Sequence, residues 1–200
     1  GMGINFGMVL GAMAGQIGLI FAMDWSIGGI YGLVFAACIG MPLSILLGIV
    51  AGSVLNRARG REMVTSYILG FFFNGIYQFF VLYILGSVIP MHNKAIMLSR
   101  GYGVRNTLEL APVRQMLDTA IPLTIAGFKI PILSYLIIIA LCFFIVWFRK
   151  TKLGQDMRAI GQNQAVSLAS GIAVERTRII SIVISTVLAC IGQIIFLQNM

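Results

Sequence analysis

Tyr67, Asn74 and Gln78 are spaced by seven and four residues, which puts three hydrogen-bonding side chains on one face of a helix. Such a face can exchange hydrogen bonds with the hydroxyls or bases of a polar solute, and it carries no charge to neutralise the ends of an amino acid. The same groups can instead bond to neighbouring helices, since an amide among apolar side chains needs a partner; such bonds contribute about 0.6 kcal/mol on average. Both readings stay open, as they do for Asn5, Gln16 and Gln193. Catalysis would need a nucleophile with a base, paired carboxylates or a metal cluster, and no such set is spaced along this chain. His92 is the only histidine and stands beside Asn93 and Lys94, where solvation is the simpler reading than metal ligation. Cys38, Cys142 and Cys190 lie inside apolar runs, where a thiol serves as a small packing group. No GxxxxGK[ST] phosphate loop is present, so the chain is expected neither to bind nor to hydrolyse ATP. No catalytic residue, metal site or cofactor is expected.

The elements that hold these residues follow from composition. Hydrophobic residues make up 59% of the chain and charged residues 10%, against about 25% charged in soluble domains, so lipid is the expected solvent. The net charge of +8 comes from basic residues lying between apolar stretches, which reads as membrane topology rather than nucleic-acid binding. A hydrocarbon core about 30 Å thick needs roughly 20 apolar residues per helix. Candidate spans meeting that need are 4–23, 27–55, 66–89, 131–148 and 179–200. The second is long for one upright crossing and contains Gly40-Met41-Pro42, so it is expected to tilt or kink. The fold class is all-α: a polytopic transmembrane bundle forming a single domain over 1–200, expected to be a fragment of a longer chain and to carry no signal peptide.

Orientation is read from Lys and Arg. Arg57, Arg59 and Arg61 crowd one connection, and Arg149, Lys150, Lys152, Arg158, Arg176 and Arg178 mark the segment 149–178. Both are expected on the cytoplasmic side. The segment 90–130 is less densely basic and is expected outside, with a short helix beginning near Pro112 and an apolar stretch at Val113–Leu117. Asp24-Trp25 then also falls outside, with the indole at the interface. Gly3, Gly7, Gly11 and Gly15, and then Gly28, Gly32, Ala36, Gly40, Ser44, Gly48 and Gly52, form four-residue ladders that read as packing faces for closely approaching helices.

Residues 152–172 read as two short helices separated by Gly161, with Asn163 placed to cap the second and Gly171 to end it. Val166, Leu168, Ala169 and Ile172 supply an apolar side, which needs a membrane surface or a groove in a partner. The pattern Gly154-x-x-x-Arg158-Ala159-Ile160-Gly161-x-Asn163-x-x-Ala165, followed by Ser170-Gly171-Ile172, closely resembles a cytoplasmic signature of ABC permeases that serve simple sugars, nucleosides and branched-chain amino acids. Gly52 to Asn56 resembles the end of a small-residue helix in that family, and Val187-Leu188-Ala189 with Gly192 resembles its helix after the coupling loop. Two positions depart from the pattern: Gln164 stands where proline often follows the asparagine, and Asn5-Phe6-Gly7 lacks the acid found in many members near an early helix break.

The resemblance implies a permease subunit of the cytoplasmic (inner) membrane importing a small polar solute, with sugar or nucleoside favoured and a branched-chain amino acid as the other candidate. It implies a coupling helix over 155–172 within the loop 149–178, with Arg158, Gly161, Asn163, Ala165 and Gly171 contacting or shaping the cleft of an ATPase. Implied partners are ATP-binding subunits, a second permease subunit (identical or not), an extracytoplasmic solute-binding protein and membrane lipid, with ATP hydrolysis in a separate subunit. Tyr67, Asn74, Gln78 and Asn5 are the candidate solute-pathway residues. Two rival readings are a secondary transporter driven by an ion gradient, disfavoured by the lack of charged residues within the spans, and a membrane scaffold that transports nothing.

Overall fold

In the computed structural model, the described residues are 6–58, 60–93, 96–99, 101, 103–105, 122–125 and 128–198. Among these the fold is helical: α1 (Met8–Asp24), α2 (Gly29–Arg57), α3 (Glu62–Phe79, continued by a π turn at Phe80–Ile84), α4 (Ile132–Lys150), α5 (Lys152–Gln162), α6 (Gln164–Ala169) and α7 (Val174–Leu197). One small addition to the all-helical expectation is an antiparallel pair of strands, β1 (Pro122–Ile125) and β2 (Phe128–Pro131), with Pro122 opposite Pro131 and Ile125 opposite Phe128. Asn5, Pro112 and the stretch 113–117 lie outside the described residues.

Three helices, Gly29–Arg57, Glu62–Ile84 and Val174–Leu197, are long and apolar enough to cross a membrane, and α1 is a shorter apolar helix. The core is the triad α1, α2 and α7, held by the small-residue ladders. Gly32, Ala36, Gly40, Ser44, Gly48 and Gly52 are all buried on α2. A Cβ on Gly40 would sit 2.9 Å from Cys190 Sγ, and one on Gly48 would sit 2.6 Å from Thr186 Oγ1. On α1, a Cβ at Gly11 would collide with the backbone carbonyl of Thr186, and at Gly18 with that of Ala36. Small residues therefore set the interhelical distance, as apolar helices with no hydrophobic drive between them require. Thr186 adds a hydrogen bond across the core, its Oγ1 donating to the Ser44 carbonyl at 3.1 Å.

Pro42 lies inside α2, which nevertheless runs unbroken. Helix α3 is more loosely held: only Ser66 and Gly70 are buried on it before the π turn, and Ser66 Oγ accepts the backbone N–H of Phe6 at 2.9 Å. At the end of the bundle away from α5 and α6, Val81, Leu85, Ile96 and Val104 pack with Ile20 and Met23. Asp24, which reads from the sequence as part of an exposed connection, is the last residue of α1 and is 3% exposed. Its carboxylate accepts the backbone N–H of His92 at 2.7 Å and of Asn93 at 3.0 Å, and His92 Nδ1 lies 3.2 Å from its other oxygen. A buried carboxylate here is satisfied by the segment it holds down, in keeping with the rule that buried charge needs partners.

Candidate functional site

The segment joining α4 to α7 is built almost wholly of helix; its corners at Thr151 and Asn163 are fixed by side chains and the one at Gly171 by backbone hydrogen bonds. Helix α4 ends at Lys150, and Thr151 turns the chain: its Oγ1 donates to Phe148 O at 2.6 Å and accepts from Gly154 N at 3.3 Å. A Cβ at 154 would strike the Phe148 carbonyl, so the corner requires glycine for space. Along α5, Leu153 and Met157 are half-buried and Ile160 is buried, a spacing of four and three that gives one apolar stripe toward the bundle. Arg158 and Gly161 are exposed.

The break between the two short helices is at Asn163, not at Gly161. Gly161 sits in the last turn of α5, with open space around its Cβ position, whereas Asn163 is extended at φ −153° and ψ 109°. Asparagine outweighs glycine here because it satisfies amides that the new helix would otherwise leave unpaired: Oδ1 accepts from Ala165 N at 3.0 Å and Val166 N at 3.2 Å. Gln164, the departure from the usual proline, is the first residue of α6. Proline at that position serves only to preset φ, so the asparagine cap starts the helix without it.

Gly171, at φ +79°, closes α6, with Gly171 N donating to Leu168 O at 3.1 Å and Ile172 N to Ser167 O at 3.1 Å. This pair of bonds is the Schellman closure, which needs a left-handed residue after the helix. The closed helix buries Ser167 and exposes Val166 (60%) and Leu168 (66%), together with Asn163 and Ala165. The result is a six-residue knob closed at both ends, with exposed Ala165 and Ala169 opposite the buried Ser167, Val166 and Leu168 on the two flanks, and Arg158 exposed on α5.

Beneath the knob lies a cluster that the sequence reading did not identify. From its position in the sequence Arg178 reads as a loop charge, but α7 begins at Val174 and takes it into the second turn, where its side chain is 7% exposed and Nη2 donates to Glu62 Oε1 at 3.1 Å. Asn56, at the end of α2, donates from Nδ2 to the Glu175 carbonyl at 3.0 Å. The available signal was spacing: Arg178 falls one turn from Val174 on the apolar face of α7, whereas Arg176 falls on the exposed face.

Tyr67, Asn74 and Gln78 do share one flank of α3, about 80° around the helix from the buried Ser66 and Gly70. Tyr67 and Gln78 are exposed, Asn74 is half-buried, and the Tyr67 ring packs edge-on against Phe6 and Phe71. They do not line the described cavity of about 340 Å³, which lies between α2, α4 and α7 and is walled by apolar residues including Ile45, Phe144 and Leu188. Among the described residues no group of three or more His, Cys, Asp or Glu side chains could hold a metal.

The family model described as branched-chain amino acid transport system / permease component matches residues 2–200. The chain is 24% identical over 177 residues to the autoinducer 2 import system permease protein LsrD of Escherichia coli (strain K12), an alignment covering 88% of this chain and 46% of that protein. The same figures hold for the permease of that name from Shigella flexneri. The chain thus spans about half the length of the curated relatives it matches. No solved structure matches.

Proposed function

Because this chain belongs to the family of branched-chain amino acid transport system permease components, we propose that it is the membrane-spanning part of an ATP-driven importer whose ATPase docks on α5–α6. The chain is a multi-pass protein of the cytoplasmic membrane. The observation that carries the proposal is the α6 knob: a helix capped at both ends that presents Val166 and Leu168 outward while its own polar Ser167 is buried. An exposed apolar pair on a helix locked at both ends is arranged to enter a groove. ATP hydrolysis takes place in the separate docking subunit, and an extracytoplasmic binding protein delivers a small polar solute at the outer mouth. That the relatives are import system permeases supports import of a small solute, and the uncharged flank of Tyr67, Asn74 and Gln78 favours a sugar or nucleoside. A second permease subunit completes the pathway.

ATP moves the permease only if the closed ATPase binds one arrangement of α5–α6 better than the other. The corners at Thr151, Asn163 and Gly171 let displacement of the knob reach α4 and α7 without being absorbed by bending. The charges buried in the described bundle do not favour an ion-coupled transporter. Asp24 and Arg178 sit near helix ends and each has a partner, rather than lying unpaired along a pathway. Uptake into vesicles with and without the ATPase subunit tests the proposal. Uptake that requires ATP and that subunit supports it, and uptake that runs without the subunit but collapses with the ion gradient refutes it.

A further inference from the structure

We infer that Arg178 and Glu62 are a positioning pair that makes α3 move with α7 when the α5–α6 segment is displaced, an inference that rests on the docking reading above. The link from knob to pair has no slack. After the Schellman closure of α6, Val174 N donates to Ile172 O at 2.8 Å and Thr177 Oγ1 donates to Ala173 O at 3.1 Å, so each step into α7 is hydrogen-bonded. Arg178 follows directly in that turn.

Across the bundle, Glu62 is the first residue of α3, the helix that carries Tyr67, Asn74 and Gln78 and on which only Ser66 and Gly70 are buried before the π turn. A fully exposed ion pair would contribute little; here Glu62 is 30% exposed, but the Arg178 side chain is 7% exposed and its Nε has no hydrogen-bond partner among the described residues. Separating the pair would take the carboxylate away from a largely buried cation, which is costly. Movement of the start of α7 that leaves α3 behind is therefore opposed, and movement of the two together is not. The Asn56 bond to the Glu175 carbonyl ties the end of α2 to the same turn.

The test reads the distance between spin labels on Gly75→Cys (α3) and Gly192→Cys (α7), two positions where a Cβ meets nothing within 4 Å. The exposed Cys38 and Cys142 are replaced by serine, and the complex is compared without nucleotide and after trapping with ATP and vanadate. With the pair intact, one distance is expected in both states. Glu62→Gln is expected to shift and broaden the distribution only on trapping, and Glu62→Asp, which keeps the charge, to restore the single distance. The inference is overturned if Glu62→Gln matches the parent, if it broadens the distribution equally without nucleotide, as a purely structural tie would, or if the parent itself changes distance. If no ATPase subunit copurifies with the parent, the docking reading fails first and the inference with it; copurification without an effect of Glu62→Gln overturns the inference alone.

Discussion

Asn163 Oδ1 lies 3.0 Å from the backbone nitrogen of Ala165 and accepts a hydrogen bond from its N–H, so one side chain both bends the chain and starts the helix that bears the exposed Val166 and Leu168. Replacing an N-cap asparagine by alanine typically costs about 1 kcal/mol. On a helix of six residues, far too short to persist alone, that loss is expected to fray the whole element. Asn163→Ala should therefore raise amide hydrogen exchange across 164–169 and reduce ATP-dependent uptake, with Asn163→Asp close to the parent in both.

The knob itself should be separable from the bundle. Leu168→Asp, with Val166→Asp as a second variant, is expected to abolish copurification of the ATPase subunit while leaving membrane insertion and thermal stability in detergent unchanged, because both side chains are already exposed. Arg158→Glu should weaken the same association in a salt-dependent way. Loss of insertion in all three variants would place these residues in the fold instead.

The core predicts the reverse pattern. Gly11→Val and Gly18→Val drive side-chain atoms into the carbonyls of Thr186 and Ala36, which no rotamer change can avoid since Cβ itself collides. Overpacking of this kind costs roughly 1–3 kcal/mol or more. A lower unfolding temperature in detergent is expected for both, whereas Gly75→Ala, with open space at its Cβ, should be neutral.

Asp24→Ala should free the segment at His92 and Asn93 by removing the acceptor of two backbone N–H groups. Faster protease cleavage near residue 92 in outward-facing vesicles is the expected sign. Unchanged cleavage would show that packing of Ile96 and Val104 against Ile20 and Met23 suffices to hold it.

The parts of this fold that were legible in the sequence are those set by short-range rules. Apolar runs gave the helices, the four-residue ladders gave the faces that α1, α2 and α7 bring together, and Asn163 with Gly171 gave the two ends of α6. Gly161 misled because glycine breaks a helix only where nothing better competes, and two residues later an asparagine offered its own hydrogen bonds. The roles of Arg178 and Asp24 were hidden for a different reason. Both sit at the margin of an apolar run, where a charge reads as solvated, and their partners lie 116 and 68 residues away in sequence. No local pattern encodes a pairing at that separation. The flank of Tyr67, Asn74 and Gln78 was legible as a face, but a face does not reveal what it meets.

The most direct measurement places a photo-crosslinking residue at Leu168 in the protein within native membranes. Illumination is expected to join it to an ATP-binding subunit, with Val88, also exposed but near the opposite end of the bundle, giving no such product. A crosslink from Leu168 only to lipid, or to a protein reached from the outer face, in membranes where the importer is assembled and active would contradict the account.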